Sequence, residues 1–161
     1  MKKTVYVNTG ALAFGSENVI LNSGAIGSCV VVTIFDKEKR IGAMAHIMLP
    51  GESPKKHKPS NKYAANAIRN LHNYFVETTS KSENLICCIV GGANVLRKKD
   101  DRLCRDIIKS VEEEILKNNL IISKRNVGDE LRRTMQFDTS TGDVFYSIGN
   151  SGLSLLWSID N

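Results

Sequence analysis

Val30-Val31-Val32-Thr33-Ile34-Phe35-Asp36, a charged corner Lys37-Glu38-Lys39-Arg40, and the return Ile41-Gly42-Ala43-Met44-Ala45-His46-Ile47-Met48-Leu49-Pro50 decide how this chain folds. The first run is nearly continuous β-branched and aromatic, the pattern of a strand covered on both faces. The short polar corner turns the chain back, so the second apolar run pairs with the first as a hairpin. Gly42, Ala43 and Ala45 leave room there for close packing. Cys29 opens the first strand and His46 sits near the end of the second, so pairing brings a thiol and an imidazole side by side. A cysteine nucleophile and its base need that juxtaposition.

Working outward, Thr4 to Asn8 alternates as a strand and Val19-Ile20-Leu21 forms a short one, with Thr9 to Asn18 as a connecting loop between them. Downstream, Pro50 to Ser60 is a proline- and lysine-rich loop. Ser60-Asn61 offers an N-cap for a helix from Lys62 to Glu77, whose Ala64, Ala67, Ile68, Leu71 and Phe75 share one face. Leu85 to Val90 is a strand entering a tight turn at Gly91-Gly92. A second helix spans Asp101 to Asn118, and Leu120-Ile121-Ile122 is a strand. Arg133 to Phe137 and Val144 to Ser147 form a hairpin around Thr141-Gly142, and Leu153 to Ile159 is the last strand. Many strands with two longer helices predict an α/β fold over residues 1–161: one domain of mixed β-sheet layers flanked by the helices.

Composition narrows the function. A chain of 161 residues with 42% hydrophobic and 24% charged content is that of an ordinary globular domain. No segment reaches the roughly 18 apolar residues of a membrane span. The strand-like alternation after Lys2-Lys3 is unlike a signal peptide, so a cytoplasmic location is expected, without membrane insertion. The formal charge of +5 comes from scattered lysines and arginines, densest at Lys55–Lys58, Arg97–Lys99 and Arg132-Arg133. Aromatics are only 6% and do not interleave with them, so these patches read as solvated surface and not as a nucleic-acid platform. Cys29, Cys87, Cys88 and Cys104 make no CxxC pair and have no metal-ligand spacing with His46, His57 or His72; no metal or cofactor is expected.

Gly27-Ser28-Cys29, the strand to Asp36 and the block Gly42 to Pro50 together resemble the chemoreceptor glutamine deamidase family, CheD. Lys62-Tyr63-Ala64, Gly91-Gly92-Ala93 and Arg133 to Tyr146 match in the same order, so the resemblance covers most of the chain. It departs from the family at Ser23, where a threonine is usual, and at Leu103-Cys104-Arg105-Asp106 and Gly128-Asp129-Glu130.

The resemblance implies a cysteine-hydrolase-type α/β sandwich that hydrolyses glutamine side chains of chemoreceptor cytoplasmic helices to glutamate and ammonia, with no cofactor. Cys29 is then the nucleophile, its pKa depressed beside an imidazolium, and His46 the acid and base. Ser23 orients the ring through its hydroxyl, and Gly27 and Ser28 supply backbone donors for the oxyanion. Outside that resemblance Cys29 and His46 are equally core residues; Cys87, Cys88 and Cys104 read as packing positions, and His57 and His72 as surface. Two other readings stay open: a non-catalytic binding module that regulates a CheC-type phosphatase of the response regulator, and an unrelated cysteine hydrolase on the same fold.

Overall fold

The computed structural model describes residues 1–160. An unbroken apolar strand needs cover on both sides, and β4 (Val30–Asp36) has it, every position being buried. It pairs antiparallel with β5 (Ile41–Ile47) on one side and with β6 (Leu85–Gly91) on the other. The short edge strand β2 (Leu12–Gly15) joins β5, and β7 (Ile122–Val127) runs parallel to β6, which completes a sheet in the order β2-β5-β4-β6-β7.

Side chains alternate across β4 and divide the core in two. Val30, Val32 and Ile34, with Ala43, Ala45 and Ile47, meet helices α1 (Ala64–Glu77) and α2 (Arg102–Lys117) through Ala67, Ile68, Leu71, Phe75, Ile107 and Val111. Val31, Phe35, Met44 and Val90 face the other way, onto a second sheet. That sheet runs β1 (Lys3–Tyr6), β3 (Val19–Asn22), β8 (Arg133–Asp138), β9 (Val144–Ile148) and β10 (Ser154–Trp157), and contributes Leu21, Met135, Phe137, Val144 and Trp157. The result is three layers, helices on sheet on sheet, the predicted α/β class. Among the described residues no helix is long and apolar enough to cross a membrane.

Three local expectations differ. Strand β2 lies inside the stretch read as a loop, because four residues with a half-exposed Phe14 carry no alternation and exist as a strand only through pairing with β5. Strand β7 begins where the apolar Leu120-Ile121-Ile122 run ends. Leu120 plugs the helix-side core, while the strand itself carries Lys124 and Arg125 along an open edge, where charge discourages further pairing. Helix α1 has no side-chain cap. Its first N–H groups, from Ala64 and Ala65, donate to the carbonyls of Leu49 and Gly51, and Ser60 Oγ caps Lys62 instead.

Candidate active site

Cys29 lies just ahead of β4, on a segment tied down by backbone bonds at Ile26, Gly27 and Cys29 itself. Ile26 exchanges both backbone hydrogen bonds with Arg133 (2.7 and 2.9 Å). The Ala93 N–H donates to the Gly27 carbonyl at 3.0 Å and the Gly92 N–H to the Cys29 carbonyl at 2.7 Å. Gly91 has φ +122°, and a Cβ there would overlap the Cys29 carbonyl oxygen, so the Gly91-Gly92-Ala93 block is the seat of the cysteine segment. Among the described residues the N–H groups of Gly27, Ser28 and Cys29 donate to no other group. Three adjacent unused donors therefore lie on the segment that ends in a half-buried thiol.

His46 is opposite Val31 in the β4–β5 ladder, and Cys29, just ahead of β4, precedes Val31 by two residues and packs against the same core as Val31 and Met44, so alternation continued past the strand end makes the two diagonal neighbours. Such neighbours stand roughly 7–8 Å apart at the backbone, within reach of longer side chains. The ring is only 3% exposed. Its Nδ1 lies 2.9 Å from the Val7 carbonyl oxygen, which only accepts, so Nδ1 carries a hydrogen and Nε2 is the nitrogen free to take a proton. The backbone is held as well: Gly10 N–H donates to the His46 carbonyl (2.8 Å), and His46 N–H donates to the Ala11 carbonyl (3.2 Å).

Burial pushes the His46 pKa below the ordinary imidazole value, opposed by the Val7 and Ser23 carbonyls, which favour the imidazolium. Burial pushes the Cys29 thiol up, opposed by a hydrogen bond from the Thr9 side chain. Burial thus works against charge on either group and favours a neutral pair. This runs against the depression of the thiol by an imidazolium that the resemblance implies: desolvation of a half-buried thiol and an almost fully enclosed ring disfavours both charges.

Ser23 also differs from expectation. It is buried beside the site, yet its hydroxyl donates to the Gly24 carbonyl (2.7 Å) and accepts the Met135 N–H (2.9 Å). The ring's partner is the Val7 carbonyl, and Ser23 acts on the imidazole only through its carbonyl, which favours the charged form. A serine in place of threonine therefore changes a strand anchor and leaves the imidazole's partner intact. Ser23→Ala is expected to cost about 1–3 kcal/mol by stranding the Met135 donor, and to lower turnover less than about tenfold, with Ser23→Thr close to the native chain in both. Denaturant melts and single-turnover assays check this; a loss as deep as that of Cys29→Ala would restore the hydroxyl to a catalytic role.

Gly27 and Ser28 lie where the sequence places them. Beyond Ser28 a small recess of about 100 Å³ opens, lined by Ala93, Val95, Leu96, Leu103 and Cys104. Val95, Leu96 and Leu103 are 40%, 74% and 51% exposed. Cys87, Cys88 and Cys104 are buried, and burial lifts the Cys88 thiol to about 12. His57 is exposed on its loop, and His72 is half-buried on α1. Val7 and Thr9 escaped the sequence reading. A carbonyl ligand leaves no side-chain signature, and Thr9 belongs to a turn whose path follows from its pairing with His46.

The family described as CheD chemotactic sensory transduction matches residues 48–147, a stretch that begins just past His46. The chain is 34% identical over 151 residues to a probable chemoreceptor glutamine deamidase CheD of Chlorobium luteolum, covering 92% of this chain and 75% of that protein. It is 32% identical over 137 residues to a probable chemoreceptor glutamine deamidase CheD of Methanosarcina barkeri, covering 84% and 90%. With the chemoreceptor glutamine deamidase CheD of Thermotoga maritima it shares 30% over 144 residues, covering 89% and 90%. Family match and full-length similarity agree, and the chain belongs to the CheD family of chemotactic sensory transduction proteins.

Proposed function

We propose that the chain is a protein-glutamine deamidase acting on chemoreceptors, with Cys29 as nucleophile and His46 as acid and base. The observation that carries this reading is the shared sheet face of the two side chains, with unused N–H donors around the thiol. A glutamine carboxamide enters beside Cys29. His46 Nε2 takes the thiol proton while sulfur bonds to the amide carbon, and the carbonyl π electrons move onto oxygen. The Gly27, Ser28 and Cys29 N–H groups, which donate to no other group among the described residues, receive that oxyanion in this reading. The imidazolium, steadied by the Val7 and Ser23 carbonyls, protonates the amide nitrogen, the C–N bond breaks, and ammonia leaves a γ-glutamyl thioester. Water, deprotonated by His46, attacks the thioester carbon; the C–S bond breaks and the proton returns to sulfur. The products are glutamate and the free thiol.

The apolar rim of Val95, Leu96 and Leu103 beside Ser28 suits a docked protein surface, such as a receptor helix.

The direct test is incubation with the cytoplasmic part of a cognate receptor, followed by mass spectrometry for replacement of a glutamine NH2 by OH. Absence of that change with the native protein sinks the reading. Its pH dependence tests the neutral pair. His46 is competent only when unprotonated, and burial lowers its pKa, so the acid limb of kcat/KM is expected below 6.5, the ordinary imidazole value, with activity sustained through neutrality. A resting thiolate–imidazolium pair would instead lose activity on the alkaline side as the imidazolium deprotonates, and that profile would overturn the neutral assignment.

A further inference from the structure

From His46 at the end of β5 the chain runs straight into a loop dense in positive charge. Between Pro50 and Lys62 stand Lys55, Lys56, Lys58 and Lys62, all exposed, against a single acid, Glu52. Glu52 is paired with Arg69 at 2.6 Å, and among the described residues none of the four lysines forms an ion pair. Four cations less one anion leave +3 on this segment, out of a formal +5 for the whole chain. The loop is fastened in place: Gly51 N–H donates to Ser110 Oγ (2.8 Å), Ser53 N–H to Asn66 Oδ1 (2.9 Å), and Ala65 N–H to the Gly51 carbonyl (2.9 Å). Like charges held together in this way repel one another, and an acidic partner relieves the repulsion.

The end of the loop is tied to the candidate site. The Lys62 carbonyl accepts the N–H groups of Met48 (2.9 Å) and Leu49 (2.8 Å), just past His46. The Lys62 stem lies across Gly10, where a Cβ would come within 2.7 Å of Lys62 Cγ, and Gly10 N–H donates to the His46 carbonyl. Gly10 therefore flanks β5, and β5 flanks β4, so two strand spacings, roughly 10 Å, separate it from the strand that follows Cys29. That span is about two turns of a helix.

We propose that Lys62 and the Lys55–Lys58 loop form a docking surface, on the base side of the site, for acidic side chains that flank the target glutamine on a receptor helix. This rests on the reading of the chain as a receptor deamidase and adds what selects among glutamines: one with an acid within about two helical turns is taken first. The recess beyond Ser28 is lined by Lys98, Asp100 and Asp101, a small net negative charge, so acids are drawn to the base side. The loop holds no Phe, Tyr or Trp on which a nucleic-acid base could stack.

Docking is read first without turnover, as binding of Cys29→Ala protein to the cytoplasmic part of a cognate receptor at low and high salt. Adding Lys55→Glu and Lys58→Glu is expected to weaken binding about tenfold and to flatten its salt dependence; Lys62→Gln, which keeps the stem, should weaken it about threefold. With Cys29 intact, the same changes should raise KM by those factors and leave kcat within about twofold, with unchanged melting curves. Lys37→Glu with Lys81→Glu is the control: both are exposed at the opposite end of the sheet, where β4 ends and β6 begins, and the charge change is the same. Native-like binding by the loop variants, an equal loss in the control, or no receptor binding by the parent protein overturns the docking surface. Binding to phosphatidylserine vesicles that the receptor fails to displace overturns it as well. Salt- and loop-dependent binding of a receptor whose glutamines stay intact would keep the docking surface and discard the deamidation.

Discussion

Cys29→Ala is expected to lower glutamine deamidation by about 10³-fold or more while leaving the fold in place. The chemistry requires the loss: an amide yields to a thiolate far faster than to water, and no other cysteine is near enough to the surface to substitute, Cys87, Cys88 and Cys104 all being buried. The fold survives because the thiol is only half-buried, so stability should move by about 1 kcal/mol or less. His46→Gln is the companion variant. A glutamine amide can still donate to the Val7 carbonyl, which His46→Ala would leave unpaired in a buried place, but it cannot take a proton. A comparable loss is expected, and the double variant should be scarcely worse than either single one, since nucleophile and base act as a unit. Mass spectrometry of the receptor beside circular dichroism of each variant decides it. Cys29→Ala activity within tenfold of native would end the nucleophile assignment.

How much of this was legible follows from what kind of atom does the work. The β4–β5 hairpin was legible because nearly every residue from Val30 to Phe35 is apolar, and a two-sided core leaves that pattern in side chains. The placing of His46 opposite Val31, two residues past Cys29, followed, since strand alternation fixes which residues share a face. Main-chain contacts left little signal. The Val7 and Ser23 carbonyls, the Gly10 and Ala11 clamp and the free N–H groups of Gly27 to Cys29 exist on any sequence and are placed only by tertiary pairing. Gly91-Gly92 was legible as a turn, but not as the seat of Cys29, because that needs the contact across β6 and β4. Burial, too, was hidden: the desolvation that works against charge on the thiol and the ring is something spacing does not report.

Arg133 is the sharpest case, because Arg132-Arg133 read as solvated surface and Arg133 is 2% exposed. Its Nη1 donates to the carbonyls of Gly128 (2.7 Å) and Leu131 (2.6 Å), and its Nε donates to Asn126 Oδ1 at 3.0 Å. The Asp129 carboxylate is 3.8 Å away and 91% exposed, so it contributes little, and the carbonyls hold the cation. Arg133→Met fills the volume but strands these acceptors; because the loop is partly open to water, the expected cost is about 2–4 kcal/mol, short of a fully buried pair. Arg133→Lys keeps the charge but cannot present a planar fork to three acceptors, so it should recover only part. The damage should reach the active site. The guanidinium fastens the 126–131 loop, whose Gly128 N–H donates to the Gly91 carbonyl and whose Asp129 carbonyl accepts the Asn94 N–H, and that neighbouring backbone seats Cys29. Deamidation by Arg133→Met, assayed well below its melting temperature, is therefore expected to fall by about ten- to a hundredfold although no reacting atom is touched. Urea melts measure the first effect and receptor turnover the second. A variant that melts with the native chain would show that the loop carbonyls are satisfied without the arginine, and native turnover in a destabilised variant would uncouple the loop from the seat of the nucleophile.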